Sequence, residues 1–177
     1  DRLRSRGLGD VYKRQVYGTT LLDELAEAYH HGVVDESGLL QGDAFEHGIL
    51  KDDIVITQDT VRQLQLAKAA IRTGIELAAY ELRLPLQEIS QVYLAGGFGF
   101  YLNPESAYCL GLLPEEFRGK LKIAGNTSLK GAVLALTEPE RMLKLPENMK
   151  NSKVMDLSLN KNFQEFFVHR LSFPPNH

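Results

Sequence analysis

Apolar residues recur at steps of three and four in the middle of the chain, and this spacing predicts its longest helix at residues 59–82. Gly74 lies inside this helix, where glycine is unfavourable, so we expect close packing there. The apolar stripe is expected to face the core; it consists of Val61, Leu64, Ala67, Ile71, Ile75, Ala78 and Leu82. An earlier helix is predicted from a loose capping box that begins at Thr20 to a terminating glycine at Gly32.

Short apolar runs and helical segments alternate in the second half, with brief polar connections. Strands are predicted at residues 54–56, 91–95, 121–124 and 154–159, and helices at residues 104–112, 127–136 and 163–173. Asn103 and Asn160 have the residue type of helix N-caps, and so does Asp59, whose carboxylate could instead lie near a ligand. This alternation predicts the α/β fold class.

The stretch VYLAGGFGFY at residues 92–101 is the strongest functional signal. A strand that ends in Gly96, Gly97, Phe98 and Gly99 leaves main-chain N–H groups open to a flat or anionic ligand, which points to a nucleotide. The alternative is a tight turn whose glycines serve only backbone geometry. The stretch is not a P-loop, because GxxxxGK[ST] is absent from the chain, and it lacks the third glycine of a dinucleotide-binding fingerprint.

Two further places could contact a ligand. Gly125 and Asn126 open a helix with small polar residues, although Thr127 and Ser128 serve equally well as capping residues. Lys68 lies one turn before Arg72, so this pair could flank an adenine or approach phosphates, or it could be a solvated helix face.

Composition excludes several classes of function. The 177 residues carry a net charge of −3, so no basic field argues for nucleic acid, and no apolar run is long enough to span a membrane. The one cysteine, Cys109, fits a core position and a reducing cytoplasm, and it rules out an iron–sulfur cluster held by this chain alone. The five histidines lack metal-ligand spacing, so we assign neither metal ligands nor catalytic residues.

Residues 1–15 differ in composition from the remainder. They carry a net charge of +3, whereas residues 16–177 carry −6, and they show no helical or strand period. GDVYKRQ looks like translated sequencing-adapter sequence, so we expect a non-native or disordered tail that precedes an incomplete domain. The alternative is a basic tail that binds phosphate or acidic lipid.

Four co-linear segments together resemble one family. They are TQDTVRQLQLAKAAIRTGIEL (residues 57–77), VYLAGGFGFYLNPESAYCLGLLP (92–114), GNTSLKGA (125–132) and VMDLSLNKNFQEFFVHRLSFP (154–174). They resemble the C-terminal domain of the ATP-dependent reductive activators of corrinoid proteins, which belongs to the acetate-and-sugar-kinase/Hsp70/actin (ASKHA) class. The resemblance implies that residues 16–177 form one lobe of an actin-like ATPase. It places Gly96–Gly99 near adenine and ribose, and Gly131 and Ala132 at a tightly packed hinge between lobes.

The resemblance also implies a function for the parent protein. Such activators use ATP and Mg²⁺ and pass an electron from a [2Fe–2S] cluster in a ferredoxin-like domain to Co(II), which gives Co(I). The Asp-x-Gly-Thr hairpins that hold phosphate and Mg²⁺ in this class do not occur in the sequence, and VYGTT (residues 16–20) stands where the family has CGSG. The implied site is therefore an adenosine half-site, inactive by itself. The expected partners are a corrinoid protein and a second copy of the chain. The alternatives are a non-catalytic interaction module and a small-molecule kinase of the same fold class.

Overall fold

The computed structural model describes residues 8–51, 54–143, 145–150 and 152–175. The helices are α1 (Leu8–His30), α2 (Asp43–His47), α3 (Gln58–Glu81), α4 (Gly96–Tyr101), α5 (Pro104–Cys109), α6 (Thr127–Thr137), α7 (Pro139–Met142), α8 (Leu145–Met149) and α9 (Phe163–His169). The strands are β1 (Ile49–Lys51), β2 (Ile54–Ile56), β3 (Val92–Ala95) and β4 (Leu121–Gly125). Single 3₁₀ turns lie at Leu86–Glu88, Glu115–Phe117 and Leu157–Leu159.

The ends of α1 agree only in part with the sequence prediction. At its C-terminus, Gly32 has φ 70°, and the N–H of Val33 donates to the carbonyl of Ala28, which is the predicted glycine stop. The predicted start at Thr20 is wrong, because the helix begins at Leu8. Part of the segment at residues 1–15 is therefore helical, and the origin of that segment stays a prediction.

The long helix is present, and the predicted buried face is correct only in part: Val61 is buried, and Leu64 and Ile75 pack against the core. The N-cap is Thr57, whose hydroxyl accepts from the N–H of Thr60, and not Asp59. Ile71 and Leu82 of the apolar stripe are exposed. The buried residues of α3 are Val61, Gln65, Lys68, Ala69, Thr73, Glu76, Leu77 and Ala79. Half of these are polar: Gln65 and Lys68 donate to backbone carbonyl groups, and Glu76 accepts from Arg72 and Arg170.

Those carbonyl groups belong largely to residues 171–174, which we call the strap. The helix predicted at residues 163–173 ends at His169, and Asn160 does not cap it, since the N-cap position is Asn162. The strap then contacts both α1 and α3. It is held by bonds from Gln65 Nε2 to the Leu171 carbonyl, from Lys68 Nζ to the Ser172 carbonyl, from the Phe173 N–H to the Glu36 carbonyl and from the Tyr29 hydroxyl to the Pro174 carbonyl.

The main core lies beneath the strap. Phe173 is 3% exposed, and its ring lies 5.2 Å from that of Tyr29 between ring centres. The core also includes the buried apolar side chains of α1, the loop after it, α3 and α5: Leu22, Leu25, Val34, Leu40, Val61, Ala107 and Leu110. α1 packs against α4 and α5, so the core connects directly to the elements that carry the glycines.

The strands form two small sheets. β1 and β2 are antiparallel, whereas β3 and β4 are parallel, with Val92 opposite Leu121 and Ala95 opposite Gly125. The strand predicted at residues 154–159 is wrong: the segment makes a 3₁₀ turn, where the Leu157 side chain lies near Gly74. A Cβ on Gly74 would meet Leu157 at 3.5 Å, an ordinary contact, so the close packing expected at this glycine is not required.

The β3–β4 side of the molecule is open. Tyr93 and Ile123 are exposed on the sheet, and α6 has no buried residue in the part of the chain that the structure describes. A Cβ on Gly131 would meet no atom within 4 Å. The described residues therefore do not supply the tight helix crossing that Gly131 and Ala132 suggested.

Candidate functional site

The two glycine segments found in the sequence lie side by side. Ala95 at the end of β3 pairs with Gly125 at the end of β4, and α4 and α6 begin directly beyond them. In open α/β sheets, ligands bind outside the carboxyl ends of parallel strands. We call this surface the strand-end site. It brings together Gly96, Gly97, Phe98, Gly99, Gly125 and Asn126.

Gly96 and Gly125 have backbones that an approaching ligand can reach. Both have positive φ, 84° and 68°, which side-chain-bearing residues rarely adopt. Among the described residues, no atom lies within 4 Å of a Cβ built on Gly96. Packing therefore does not explain the absence of a side chain at this position, and the space beside it is open to a ligand.

Gly99 is different, because packing does explain it. A Cβ at this position would lie 3.2 Å from both the carbonyl carbon and the Cβ of Leu94. Gly99 is buried and lets α4 fold back onto β3. Gly99 therefore fits the structural interpretation. The positive φ of Gly96 also fits it, and a ligand contact at Gly96 stays a prediction.

Aromatic side chains border the open backbone. Phe98 is 43% exposed and lies near Gly18 of α1, because a Cβ built on Gly18 would be 3.9 Å from the Phe98 ring. Phe100 is also exposed, and its ring is 3.9 Å from a Cβ built on Gly125. Exposed rings can stack on the face of a base. Phe100 lies within the stretch VYLAGGFGFY, but it was not among the predicted site residues.

Asn126 and Lys130 shape the start of α6. The side-chain oxygen of Asn126 accepts from the N–H of Leu129 at 2.9 Å, so Asn126 performs the capping role considered for Thr127 and Ser128. Lys130 Nζ donates to the Ala124 carbonyl at 2.6 Å and brings a positive charge to the site. Sequence reasoning missed this lysine, whose signal is its position one turn into the helix that follows Gly125.

Lys68 does not lie in a solvated helix face, which contradicts that interpretation of the sequence. It is 2% exposed, its ammonium group donates to the Ser172 carbonyl, and it lies 5.1 Å from the centre of the Phe173 ring. Burial, and next the charges of Arg72 and Arg170, lower its pKa to about 7. Lys68 lines a cavity whose lining contains none of the six strand-end residues.

Two other candidates have structural partners. Asp59 accepts a hydrogen bond from Gln63 Nε2 at 2.7 Å on the exposed side of α3. Cys109 lies 3.9 Å from the Ala26 carbonyl, and burial raises the pKa of its thiol, as expected for a core cysteine. Within the described residues, no three His, Cys, Asp or Glu side chains are arranged to hold a metal ion. A protein-held iron–sulfur cluster takes about four thiolates, so this chain's donor set does not fit one.

Comparison with known proteins identifies the family. The model of the C-terminal ASKHA domain of RACo matches residues 2–177. The chain belongs to this family. A solved structure titled reductive activator for corrinoid,iron-sulfur protein is similar over 89% of this chain and 28% of its own, with a TM-score of 0.76 and 32% sequence identity. The fold is therefore ASKHA-like, as the resemblance implied.

Curated relatives carry related names. The corrinoid activation enzyme RamQ of Eubacterium limosum is 28% identical over 75% of this chain and 27% of its own length. The [Co(II) methylated amine-specific corrinoid protein] reductase of Methanosarcina barkeri is 26% identical over 89% of this chain and 29% of its own length. The chain thus spans less than a third of the proteins that it matches.

One further observation concerns membranes. None of the helices in the described part of the chain combines the length and apolar character that a membrane span requires.

Proposed function

We propose that this chain is the adenosine-binding part of an ATP-dependent reductive activator. The whole protein would use ATP with Mg²⁺ and an iron–sulfur cluster outside this chain to reduce the Co(II) corrinoid of a partner protein to Co(I). The family match and the names of the relatives support this role. The physical principle is that nucleotide binding favours one of two lobe arrangements, and this bias is coupled to an unfavourable electron transfer.

The observation that carries the proposal is the open backbone at Gly96, at the paired ends of β3 and β4. Its surroundings fit a nucleoside: Gly96, Gly97 and Gly125 let a ring approach the main chain, and Phe98 offers an exposed aromatic surface. Asn126 borders the same edge. When bound, ATP would supply the free energy for closure, and these residues would hold and orient its adenosine.

The chain lacks the loops needed for hydrolysis. No Asp-x-Gly-Thr sequence is present, and phosphoryl transfer relies on such loops and Mg²⁺ for positioning and charge stabilisation. We therefore expect nucleotide binding without significant hydrolysis by the isolated chain. Magnesium-dependent phosphate release above a heat-killed control would contradict this expectation.

Gly96 and Gly119 offer a matched pair for testing the site. Both have positive φ, 84° and 77°, and a Cβ on either meets no atom within 4 Å. Gly96→Ala and Gly119→Ala should therefore cost similar backbone strain, while Gly96→Ala alone adds an atom at the strand-end site. We expect ADP to raise the melting temperature of the wild type and of Gly119→Ala, and to have a much smaller effect on Gly96→Ala.

The concentration dependence provides the quantitative check. Stabilisation should follow RT ln(1+[ADP]/Kd), which reaches about 2.7 kcal/mol at one hundred times Kd. Equal ADP responses in the two alanine variants would exclude Gly96 from the site. The absence of any response in the wild type would favour the second candidate.

The second candidate is a non-catalytic interaction or dimerisation module. The exposed apolar side chains of α6 favour it; they are Leu129, Val133 and Leu136. Contiguous apolar surface commonly marks a site of contact with another protein. Sedimentation across a concentration range separates the two candidates. A dimer that Leu136→Glu disrupts and that ADP does not stabilise would support the interaction module. A monomer that ADP stabilises would support the nucleotide site.

A further inference from the structure

A second candidate site lies on the other side of the molecule. α1, α3, α5 and the strap enclose a cavity of about 1240 Å³. Lys68 and Arg170 line it, together with Tyr108, whereas the strand-end residues do not. Nothing proposed for nucleotide binding uses this cavity.

One end of the cavity has more positive than negative charge. Arg72 Nε and Arg170 Nε bond to the two oxygens of Glu76, at 2.6 Å and 2.9 Å, so one carboxylate neutralises only one of these arginines. Lys68 adds a third cation, and no carboxylate among the described residues is its ion-pair partner. When Lys68 is protonated, it and the two arginines outnumber the one carboxylate bonded to these arginines; the nearby Arg72 also contributes to a lowered pKa at Glu115.

These cations keep unused hydrogen-bond donors. Within the described part of the chain, Arg72 and Arg170 bond to Glu76 through Nε, and the terminal amino groups of their guanidinium groups remain available. Lys68 uses one of three ammonium hydrogens on Ser172. A buried ammonium without a carboxylate partner is costly, and a bound anion would offset that cost.

A neutral donor lies in the same cavity. Tyr108 is 3% exposed, and its hydroxyl has no hydrogen-bond partner among the described residues. Burial raises the pKa of Tyr108, so the hydroxyl keeps its proton and can donate it to an acceptor. A buried hydroxyl without a partner in the protein is what a polar ligand would satisfy.

Acidic side chains also line the cavity, but most have protein partners. Glu27 pairs with Lys51, and Arg118 pairs with both Glu105 and Glu115. Asp23 is the exception, because one of its oxygens is buried without a hydrogen-bond partner among the described residues. The anion would therefore bind at the Lys68 end, and Asp23 could accept from a hydroxyl of the same ligand.

We propose that the Lys68 end of this cavity binds the phosphate group of a small phosphate ester, held by Lys68, Arg72 and Arg170. Arginine forks suit the oxygens of phosphate, and lysine adds a point charge. The remaining volume accommodates the organic part of the ester. This site would be separate from the strand-end site and independent of the proposed ATPase role.

The test is a titration of the whole chain with inorganic phosphate at constant ionic strength, followed by amide NMR. We expect saturable shifts at Ser172 and Phe173. Arg170→Gln should weaken phosphate binding at least about tenfold. Lys122→Gln, which removes an exposed lysine of β4, is the matched control and should leave it unchanged.

Further variants locate the site and guard against misfolding. Lys68→Met should abolish phosphate binding. If that variant does not fold, Arg170→Gln still tests the site, because the Arg170 side chain is 43% exposed and its substitution should disturb the fold less. Asn126→Ala should keep phosphate binding, because it changes only the strand-end site. Shifts confined to residues 96–99 and 125–126, an unchanged affinity in Arg170→Gln, or tighter binding of acetate than of phosphate would overturn the proposal.

Discussion

The two sides of this molecule differ in how fully their apolar side chains are buried. In the strap region, formed by α1, α3, α5 and residues 171–174, every strap residue has a backbone hydrogen bond and Phe173 is buried. In the strand-end region, formed by β3, α4, β4 and α6, apolar side chains are exposed and α6 has no buried residue among those described. The strap region buries its apolar side chains beside the cavity that Lys68 lines, whereas the strand-end region leaves apolar side chains exposed.

This difference indicates which region contributes most to the stability of the fold and which is open to a nucleotide. Buried apolar area and satisfied carbonyl groups make the strap region the expected source of folding free energy. The strand-end region leaves backbone, rings and one helix open, which is the condition for binding something else. We therefore expect substitutions of buried apolar residues in the strap region to affect folding, and substitutions in the strand-end region to affect the response to ADP.

The largest expected effect on stability is at Phe173. Phe173→Ala removes a buried ring from the strap and should lower the free energy of unfolding by about 3–5 kcal/mol. Leu136→Ala, at a side chain that is 85% exposed, should change it by less than about 0.5 kcal/mol. Urea unfolding of both variants measures the contrast, and similar losses would remove the distinction between the two regions.

The next effect is a pH dependence that originates at Lys68. Burial and the nearby Arg72 and Arg170 lower its pKa from 10.5 to about 7 in the folded protein, while Glu76 is the acidic group beside these arginines. Between these pKa values the unfolded chain holds one more proton than the folded chain. Stability therefore rises with pH in this window, by up to about 1.4 kcal/mol per pH unit. Below about pH 7, where Lys68 is charged in both states, this contribution no longer changes with pH.

The Lys68→Met variant isolates this contribution. It keeps a long side chain without the charge, so its unfolding free energy should rise less steeply between about pH 7 and pH 9. The difference between the two curves should be on the order of 2 kcal/mol across that range. Parallel curves would mean that Lys68 does not titrate in this window and that its burial has little electrostatic cost.

The smallest effect is expected at Asn126. Asn126→Ala removes the acceptor for the Leu129 N–H and should cost about 1 kcal/mol of local helix stability. Because α6 has few contacts with the core, faster amide hydrogen exchange should be confined to α6. Loss of protection in α3 as well would show that the two regions are energetically coupled.

Local signals predicted local features well. Gly32 ends α1, and Asn103 with Pro104 begins α5, because these residues act on their own backbone. The strand-then-glycine pattern predicted the ends of β3 and β4, where Gly96 and Gly125 have positive φ, and ligand binding by these glycines stays a prediction. Their adjacency depends on the pairing of β3 with β4, which joins residues about thirty positions apart and leaves no local pattern in either segment.

Long-range partners explain what the sequence did not predict. The spacing of α3 indicated an apolar buried face, but the strap contacts Gln65 and Lys68 instead and leaves Ile71 exposed. No local pattern shows that a carbonyl about one hundred positions away will accept from Lys68. The segment at residues 154–159 has strand-like composition, but its Leu157 side chain lies near Gly74 of α3 and the segment does not pair with a strand among the described residues.

The most direct test of the nucleotide assignment is a residue-resolved ADP titration of the whole chain by amide NMR. We predict saturable shifts at Gly96, Gly97 and Gly125, and at Asn126, with little change at Ser172 and Phe173. Saturable shifts at the strap residues with none at the glycines, or no saturable shift anywhere, would contradict the assignment of the strand-end site to adenosine.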